Sequence, residues 1–442
     1  MAESRRRNAL IWSATIAAMA LVLLTPALWN GFPLIYPDTG GYLERPLLGT
    51  LEMGRSALYG AFLLAGSTLR FWPNIAIQAL IIAWLIFLVL RAHGFARPML
   101  AIGIVIVLAL TTSLPWFTSQ LMPDVFFPAG VLAIYLLMFH AGMLRTSERA
   151  ALVVLIIFAV ASHMALLGLA LGLVLTLFLL RTFPIIRIPP ATGGLPALAL
   201  ALGLLAAPLS NLAITGKVSF TPGGASFFFN RLVEDGIVTR YLDKSCPDPT
   251  LRICAYRADI STGYDDWLWK NDTPFWKLGG WQGYSDEQQR IILATMISDP
   301  VAHLTTALRA MLLQFVSFKT EVAFLAGENS YTIGTIRDRL PSLYPALMAA
   351  RQQAAPFNIA PLNAIHIPVA ALSILGLAGV PLRRRLLPDR AIAFAATVLF
   401  ALIINAGVCG VFSHAADRYQ SRLVPIAPLA LMIVALRYRR AS

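Results

Sequence analysis

Long apolar runs recur along this chain, and they limit its fold more than any other feature of the sequence. A helix needs about 20 predominantly apolar residues to cross a bilayer. The 442 residues are 58% hydrophobic and only 13% charged, and the mean hydropathy is +0.70. Such a composition departs strongly from that of soluble domains. We therefore predict an all-α polytopic membrane protein.

Basic residues between the runs predict the orientation of the helices. Arg5, Arg6 and Arg7 precede the first run, and Arg437 follows the last, so the positive-inside rule places both termini in the cytoplasm. The first run is not followed by a small-residue cleavage site, and we interpret it as a retained helix. We expect about ten transmembrane helices. Their approximate limits are 10–29, 75–90, 100–112, 125–141, 150–161, 165–180, 195–214, 364–382, 391–412 and 423–436.

These runs divide the chain into three parts. An N-terminal transmembrane module with the first outer loop covers 1–214, and a C-terminal transmembrane module covers 364–442. The polar segment between them, 215–363, is predicted to be a mixed extracytoplasmic subdomain. We place the chain in a bacterial inner membrane, with this segment in the periplasm.

One piece of the outer segment, 301–318, is apolar enough to raise the question of a further span. It carries His303, Arg309 and Gln314. We interpret these three residues as the polar side of an amphipathic helix lying on the membrane surface.

The net charge of +13 does not predict nucleic-acid binding. The basic residues fall mainly in short turns between apolar runs, and no basic stripe interleaved with aromatic residues occurs in the sequence. Such a distribution is typical of topology signals. We therefore expect membrane lipids, and no nucleic acid, among the partners.

The cysteines indicate an oxidising compartment for the outer segment. Cys246 and Cys254 bracket a short loop, and outside the cytoplasm such a pair readily forms a disulfide. Two free thiols are the alternative, whereas a zinc pair would need two further ligands that no nearby histidine supplies. Cys409 lies within an apolar run and is expected to be a buried small side chain.

An acidic residue follows the first apolar run. Asp38 lies in the segment Tyr36-Pro37-Asp38-Thr39-Gly40-Gly41-Tyr42, which the predicted orientation places at the outer membrane surface. A carboxylate there cannot act directly on a cytosolic nucleotide donor.

Two other polar residues lie in predicted outer turns. Asp124 directly precedes the run that begins at Val125, so it is either an N-cap residue or part of a site. His163 is either a polar turn residue between two helices or a contact to substrate.

A late cluster carries cations on the predicted outer side. Arg418 and Arg422 are four residues apart, so on a helix they share one face and could hold a phosphate, with the Tyr419 hydroxyl beside them. The alternative is a membrane-interface collar of snorkelling side chains. Two arginines in an outer loop break the charge rule that the other short loops follow, which favours a local role.

The order of these parts resembles the GT-C superfamily of membrane-integral glycosyltransferases, which use polyprenyl-phosphate sugars on the non-cytosolic face. Members often carry a second acid directly after the first, whereas this chain has Thr39. That departure leaves a paired-carboxylate metal site in doubt. The resemblance rests on Asp38 with Tyr42, on Asp124, on Arg55-Ser56-Ala57-Leu58-Tyr59, on the large outer segment, and on Arg418-Tyr419 followed by Pro425 and Pro428.

The resemblance implies transfer of a sugar from a polyprenyl-phosphate-linked donor to a lipid or glycan acceptor, with inversion of the anomeric configuration. Asp38 would be the general base, with a pKa raised by apolar surroundings. Asp124 would be the second catalytic residue and, with His163, a candidate for orienting the acceptor or Asp38. Arg418 and Arg422 would hold the departing phosphate. No cofactor is required, although a divalent cation is compatible with the chemistry. The other predicted substrate-binding residues are Tyr42, Arg55, Tyr59, His163 and Tyr419.

Two other classes of function fit parts of the sequence. The first is a transporter or flippase for a lipid-linked or anionic solute, which charged residues within the spans would favour. The second is a non-catalytic membrane assembly protein. The aromatic residues of the outer segment could hold sugar rings, but we interpret most of them as the core of a small domain.

Overall fold

The computed structural model describes residues 2–50, 54–180, 182, 192–220, 223–263, 266–321, 330–354 and 357–441. These residues form helices joined by loops, and no strand occurs among them. One isolated bridge pairs Leu34 with Gln120. The predicted all-α class is confirmed for the described part of the chain.

The helices fall into three consecutive groups. The first group is α1 (Ala2–Leu23), α2 (Thr25–Asn30), α3 (Thr39–Leu48), α4 (Ala57–Ala65), α5 (Trp72–Ala92), α6 (Pro98–Thr111), α7 (Leu114–Thr118), α8 (Phe126–Phe139), α9 (Thr146–Ser162), α10 (Met164–Leu180) and α11 (Gly194–Thr215). The second is α12 (Gly224–Glu234), α13 (Ile237–Ser245), α14 (Asp266–Trp269), α15 (Pro274–Lys277), α16 (Gly280–Gly283), α17 (Ser285–Ser298), α18 (Pro300–Val316), α19 (Tyr331–Arg339), α20 (Tyr344–Met348) and α21 (Arg351–Ala354). The third is α22 (Ala360–Ala378), α23 (Asp389–Phe412), α24 (Asp417–Ser421) and α25 (Ile426–Ala441). Short 3₁₀ helices cover Ser67–Leu69, Pro123–Val125, Ala141–Met143, Arg252–Asp259 and Val380–Leu386.

Several helices have the length and composition to cross a bilayer, as expected for an integral membrane protein. Five pass on both counts within the described residues, and α17 with α18 would make a sixth if this pair, bent by 102°, forms one broken span. Three shorter apolar segments could add to the number. The five are Trp72–Ala92, Gly194–Thr215, Ala360–Leu382, Asp389–Phe412 and Asp417–Arg439.

The described residues contain two large hydrophobic cores. The first joins apolar helices of the N-terminal and C-terminal modules and also takes in α19 and α20, through side chains such as Ile333 and Leu347. The second lies wholly within the outer segment and is built around Phe229, Trp267 and Tyr284. The predicted outer segment therefore contributes to both cores.

Helix α18 confirms the predicted exposure of Arg309 but corrects the interpretation of Gln314, and His303 is half-buried. Gln314 is fully buried, and its amide exchanges two hydrogen bonds of 2.9 Å with the backbone of Ala416. The exposed face instead carries Leu304, Leu308 and Leu312. In a bilayer the apolar face of a helix turns outward and a polar residue turns toward protein partners. Gln314 therefore fixes the loop that precedes α24 rather than facing water.

The first outer loop is packed at unusually close range. A Cβ atom at Gly60 in α4 would lie 2.1 Å from the backbone oxygen of Tyr42 in α3. Because no side chain fits between the two backbones, only glycine allows these helices to cross here. The crossing holds α3, and with it the loop that carries Asp38, against the first core.

Candidate functional site

The loop before α3 is held by two threonines. Thr39 Oγ1 accepts a hydrogen bond from Tyr36 N at 3.0 Å and donates one to the Leu121 carbonyl at 3.2 Å. Thr332 Oγ1 accepts from Gly40 N at 2.9 Å and donates to the Pro37 carbonyl at 2.6 Å. An ionised acid at position 39 could not donate. The hydroxyl of Thr39 thus has a structural role at the position where the resembling enzymes often carry a second acid.

The loop presents the Asp38 carboxylate to two arginines. Asp38 is the N-cap residue of α3, but its side chain makes no capping hydrogen bond. One oxygen accepts from Arg55 Nη2 at 2.6 Å and the other from Arg418 Nη1 at 3.2 Å. The side chain remains 27% exposed. Asp38 therefore gives up the usual N-cap contact for a position between two guanidinium groups at a solvent-accessible surface.

Behind Asp38, a fully buried carboxylate joins the two late arginines. Arg418 binds Asp124 with two hydrogen bonds, from Nη2 at 2.6 Å and from Nε at 3.2 Å. Arg422 Nη1 donates to the same carboxylate at 3.0 Å, and its Nη2 lies 3.3 Å from Cys409 Sγ. The spacing of four residues does place both arginines on one face, but that face meets Asp124. Neither arginine snorkels toward a lipid headgroup.

Aromatic rings cover the guanidinium planes. The guanidinium carbon of Arg418 lies 3.8 Å from the Tyr36 ring centroid, and that of Arg422 lies 3.4 Å from the Phe127 centroid. Such stacking stabilises a desolvated cation and fixes its plane. The buried ion pairs and the rings together hold Arg418 in one orientation toward Asp38.

The electrostatics of Asp38 contradict one expectation. Burial disfavours its charged form, but the guanidinium groups of Arg55 and Arg418 outweigh that effect and hold the pKa of Asp38 below its ordinary value. The prediction of a raised pKa was therefore wrong, because the apolar surroundings come with two cations. Burial also raises the pKa of Tyr36 to about 12. At neutral pH Asp38 is a carboxylate and Tyr36 a neutral phenol.

The exposed side of this cluster opens into a cavity of about 1020 Å³. The cavity lining contains both the charged residues and aromatic side chains of the outer segment. A volume of this size exceeds that of most drug-sized ligand sites. The lining residues are Tyr36, Pro37, Asp38, Gly41, Arg55, Phe227, Asn230, Trp269, Trp276, Gly279, Trp281, Gln282, Glu321, Tyr331, Ser413, His414, Ala416, Arg418 and Tyr419.

The cavity takes in part of the predicted site. Asp38, Arg55, Arg418 and Tyr419 line it, whereas Asp124, Arg422, Tyr42 and Tyr59 lie behind it and are buried. Asp124 lies in the 3₁₀ helix before α8, and α8 has no side-chain cap. The N-cap interpretation of Asp124 was therefore wrong.

Tyr42 and Tyr59 support the charged residues from behind. Their rings meet edge to face at 5.1 Å, and the Tyr59 hydroxyl donates to Gln78 Oε1 at 3.1 Å. The guanidinium carbon of Arg55 lies 5.8 Å from the Tyr42 centroid. The two tyrosines thus form part of the packed base under Arg55.

His163 lines a separate small pocket, which also includes Arg55 and Ser56. Its Nδ1 accepts a hydrogen bond from Ala165 N at 3.2 Å, and its ring meets Phe127 at 5.1 Å. Burial, aided by the charge of Arg422, lowers the pKa of His163 to about 3. The imidazole is therefore neutral at physiological pH.

A further arginine near the site was not predicted from the sequence. Arg45 is fully buried. Its Nη2 donates to Asn211 Oδ1 at 2.7 Å, and its Nη1 donates to the backbone carbonyl of Arg55. No signal in the sequence pointed to this role, because Arg45 follows Glu44 in a stretch of mixed polar and apolar residues. Arg45 fixes the backbone that carries the Arg55 side chain.

Cysteines and metal ligands complete the description. A disulfide joins Cys246 and Cys254, as predicted, and Cys409 is a buried free thiol. Within the described ranges, no group of three or more His, Cys, Asp or Glu residues is arranged to hold a metal ion.

Comparisons with protein-family models, with curated proteins and with solved structures found no match to this chain. The function must therefore be argued from the geometry of the cavity.

Proposed function

We propose that this protein transfers a sugar from a polyprenyl-phosphate-linked donor to a lipid or glycan acceptor on the extracytoplasmic face of a membrane, as a GT-C type enzyme of about ten spans. The observation that carries the proposal is the pairing of a solvent-accessible carboxylate, Asp38, with the Arg418 guanidinium in a cavity that tryptophans also line. A carboxylate, a cation and aromatic faces are the groups that a phosphate-linked sugar requires.

The reaction follows from the charges of these groups. The acceptor hydroxyl attacks the anomeric carbon of the donor sugar, and Asp38 takes the hydroxyl proton. The bond between the anomeric carbon and the phosphate oxygen breaks, and its electron pair leaves with the phosphate. Arg418 and Arg55 stabilise the charge that develops on that oxygen. Attack from the face opposite the phosphate inverts the anomeric configuration.

The resting cluster is suited to an incoming anion. It holds three cations, on Arg55, Arg418 and Arg422, against the two carboxylates of Asp38 and Asp124, so one positive charge is left over. A donor phosphate would compete with Asp38 for Arg55 and Arg418. Donor binding would thereby free the carboxylate and raise its proton affinity, as a base needs.

The buried members of the cluster have positioning roles in this scheme. Arg422 is wholly enclosed and already bonded to Asp124 and Cys409, so it acts on the phosphate through Arg418. Asp124 orients both arginines and does not meet the substrate.

Two substitutions test the proposal in membranes that contain equal amounts of each variant. Asp38→Asn keeps the size of the side chain but removes the base, and sugar transfer should fall by about 100-fold or more. Arg418→Lys keeps the charge but loses the two-pronged contact, so the KM for the donor should rise. Asp272→Asn, in an outer loop with a side chain that is 86% exposed, is the matched control and should be silent.

The assay follows radiolabelled sugar from a polyprenyl-phosphate donor into the lipid and glycan fractions. Full activity in Asp38→Asn would remove the base assignment. Absence of any transfer by the wild type, together with solute movement that Asp38→Asn abolishes, would establish the transporter instead. If the wild type shows neither sugar transfer nor solute movement, and Asp38→Asn has no effect on the cells, the assembly protein would be favoured.

The location of the outer segment has its own test. Lys270 and Arg385 are both exposed, and the proposal places them on opposite sides of the membrane. A cysteine at Lys270 should react with an impermeant maleimide in intact cells, whereas one at Arg385 should react only after permeabilisation. Reaction at Arg385 in intact cells would refute the orientation.

A further inference from the structure

The aromatic part of the cavity lining is a continuous surface, which we call the aromatic wall and define as Phe227, Trp269, Trp276 and Trp281. Ring centroids lie 5.4 Å apart for Phe227 and Trp281, and 6.2 Å apart for Trp269 and Trp281. Trp269 is 51% exposed and Trp276 is 44% exposed. Phe227 and Trp281 are partly buried and pack against the second core, so Trp269 and Trp276 are the exceptions to the interpretation of most of these aromatic residues as core.

Exposure of large indole rings in a cavity requires a reason, because burial of each ring would remove a large apolar area from contact with water and stabilise the fold. Trp267, only two residues from Trp269, shows the alternative: it is 2% exposed and packs in the second core against Phe229 and Tyr284. Within this segment Trp267 therefore lies in the core, whereas Trp269 and Trp276 are exposed in the cavity.

A buried polar atom accompanies the aromatic wall. Asn230 lines the cavity and is 3% exposed. Its Nδ2 donates to Glu234 Oε1 at 2.9 Å, but its Oδ1 has no hydrogen-bond partner in the part of the chain that the structure describes. A buried amide oxygen without a partner is costly, and a ligand hydroxyl would satisfy it. Gln282 adds an exposed amide to the same lining.

We propose that the aromatic wall with Asn230 is a subsite for a pyranose ring of the acceptor, so that the acceptor is a glycan rather than a bare lipid alcohol. The sugar presents its C–H face to the indole rings, and its hydroxyls meet Asn230 and Gln282. This assignment rests on the proposed function for the identity of the reaction, but the binding of a sugar to the wall stands separately.

The position of the wall favours the acceptor over the donor sugar. The donor phosphate is held where Arg55 and Arg418 meet, so the donor sugar must lie beside Asp38. Phe227 closes against Gly54, next to Arg55: a Cβ atom at Gly54 would lie 2.9 Å from its ring. Trp269 and Trp281 lie against the Phe227 ring, with centroids 6.3 and 5.4 Å from it, so the wall adjoins the Arg55 side of the cluster. A cavity of about 1020 Å³ accommodates a second sugar along that surface.

The test measures binding of free disaccharides to the purified full-length protein without donor. The probes are cellobiose, diacetylchitobiose and mannobiose, titrated by calorimetry into the millimolar range that an isolated sugar subsite would need. At least one should bind the wild type. Its affinity should fall by about tenfold in Trp269→Ala, Trp276→Ala and Asn230→Ala.

Trp29→Ala is the matched control. Trp29 is 42% exposed but lies outside the cavity lining, so its loss should leave binding unchanged. Failure of all three probes to bind the wild type would overturn the subsite. So would disaccharide affinities of Trp269→Ala and Trp276→Ala that equal the affinity of the wild type.

A second measurement separates this inference from the proposed function. If transfer occurs, the wall variants should raise the KM for the glycan acceptor and leave the KM for the donor unchanged. Transfer with an unaltered acceptor KM would refute the subsite and leave the function standing. Disaccharide binding to a wild type that transfers no sugar would refute the function and leave the subsite standing.

Discussion

The buried carboxylate of Asp124 provides the sharpest test of the charged cluster. Asp124→Asn changes neither the volume nor the packing of the side chain, but it removes the charge that faces two arginines. Three hydrogen bonds, of 2.6, 3.0 and 3.2 Å, now join Asp124 to Arg418 and Arg422, and the carboxylate is 0% exposed. The amide NH₂ group of asparagine would point at a guanidinium and leave a desolvated cation without its counter-charge.

Breaking a buried ion pair in this way costs about 3 to 5 kcal/mol. Asp124→Asn should therefore lower the free energy of unfolding by that amount, measured by chemical denaturation in mild detergent with tryptophan fluorescence. Asp272→Asn, at an 86% exposed carboxylate, is the control and should stay within about 0.5 kcal/mol of the wild type. An Asp124→Asn protein as stable as the wild type would mean that the cluster does not hold the two arginines as described.

Three further predictions concern stability. Gly60→Ala sets a methyl 2.1 Å from a backbone oxygen and should lower the free energy of unfolding by about 1 to 3 kcal/mol in the same denaturation assay. Gly103→Ala, with open space around the new methyl, is the control and should not destabilise the protein. Equal effects of the two substitutions would contradict the close crossing of α3 and α4. The pKa of His163 falls from 6.5 to about 3 on folding, so the unfolded chain binds more protons between these values and stability should fall as the pH drops through that window; a His163→Gln variant whose melting temperature keeps the same slope with pH would disprove this. Replacing Cys246 and Cys254 with serine opens a bridge with a sequence separation of 8 and should lower stability by about 2 to 3 kcal/mol, and no change in the denaturation midpoint would argue against any stabilising role.

Predictions from residues close together in the sequence were confirmed. Helical periodicity correctly placed Arg418 and Arg422 on one face, and the short spacing of Cys246 and Cys254 predicted their bridge. Each depends on residues close together in the chain, where the backbone geometry limits the outcome.

The long-range partners could not be predicted in the same way. Asp124 and Arg418 are 294 residues apart, and nothing within one sequence fixes which acid meets which base. The pKa of Asp38 was predicted in the wrong direction for a related reason, since its shift depends on Arg55, 17 residues away, and on Arg418, 380 residues away.

The predicted exposure of Gln314 was wrong for a different physical reason. Amphipathic patterns are usually interpreted with water outside, but a helix that borders lipid reverses the preference, and a polar side chain then points toward protein. The exposed leucines of α18 and the bonds from Gln314 to Ala416 have the arrangement expected of a helix beside lipid. The sequence alone does not indicate which solvent surrounds a short helix of this kind.

The separation of the two hydrophobic cores has a consequence for how such a protein can diverge. Phe229 and Trp267 anchor the outer segment in one core, while Ile35 and Leu43 anchor the Asp38 loop in the other. Substitutions that share no contacts are close to additive, so changes in the core around Phe229 and Trp267 should leave the ion pairs of Asp124 intact. Arg231, which donates to the Gly410 carbonyl, and Phe228, whose ring meets Phe412, instead couple the segment to α23.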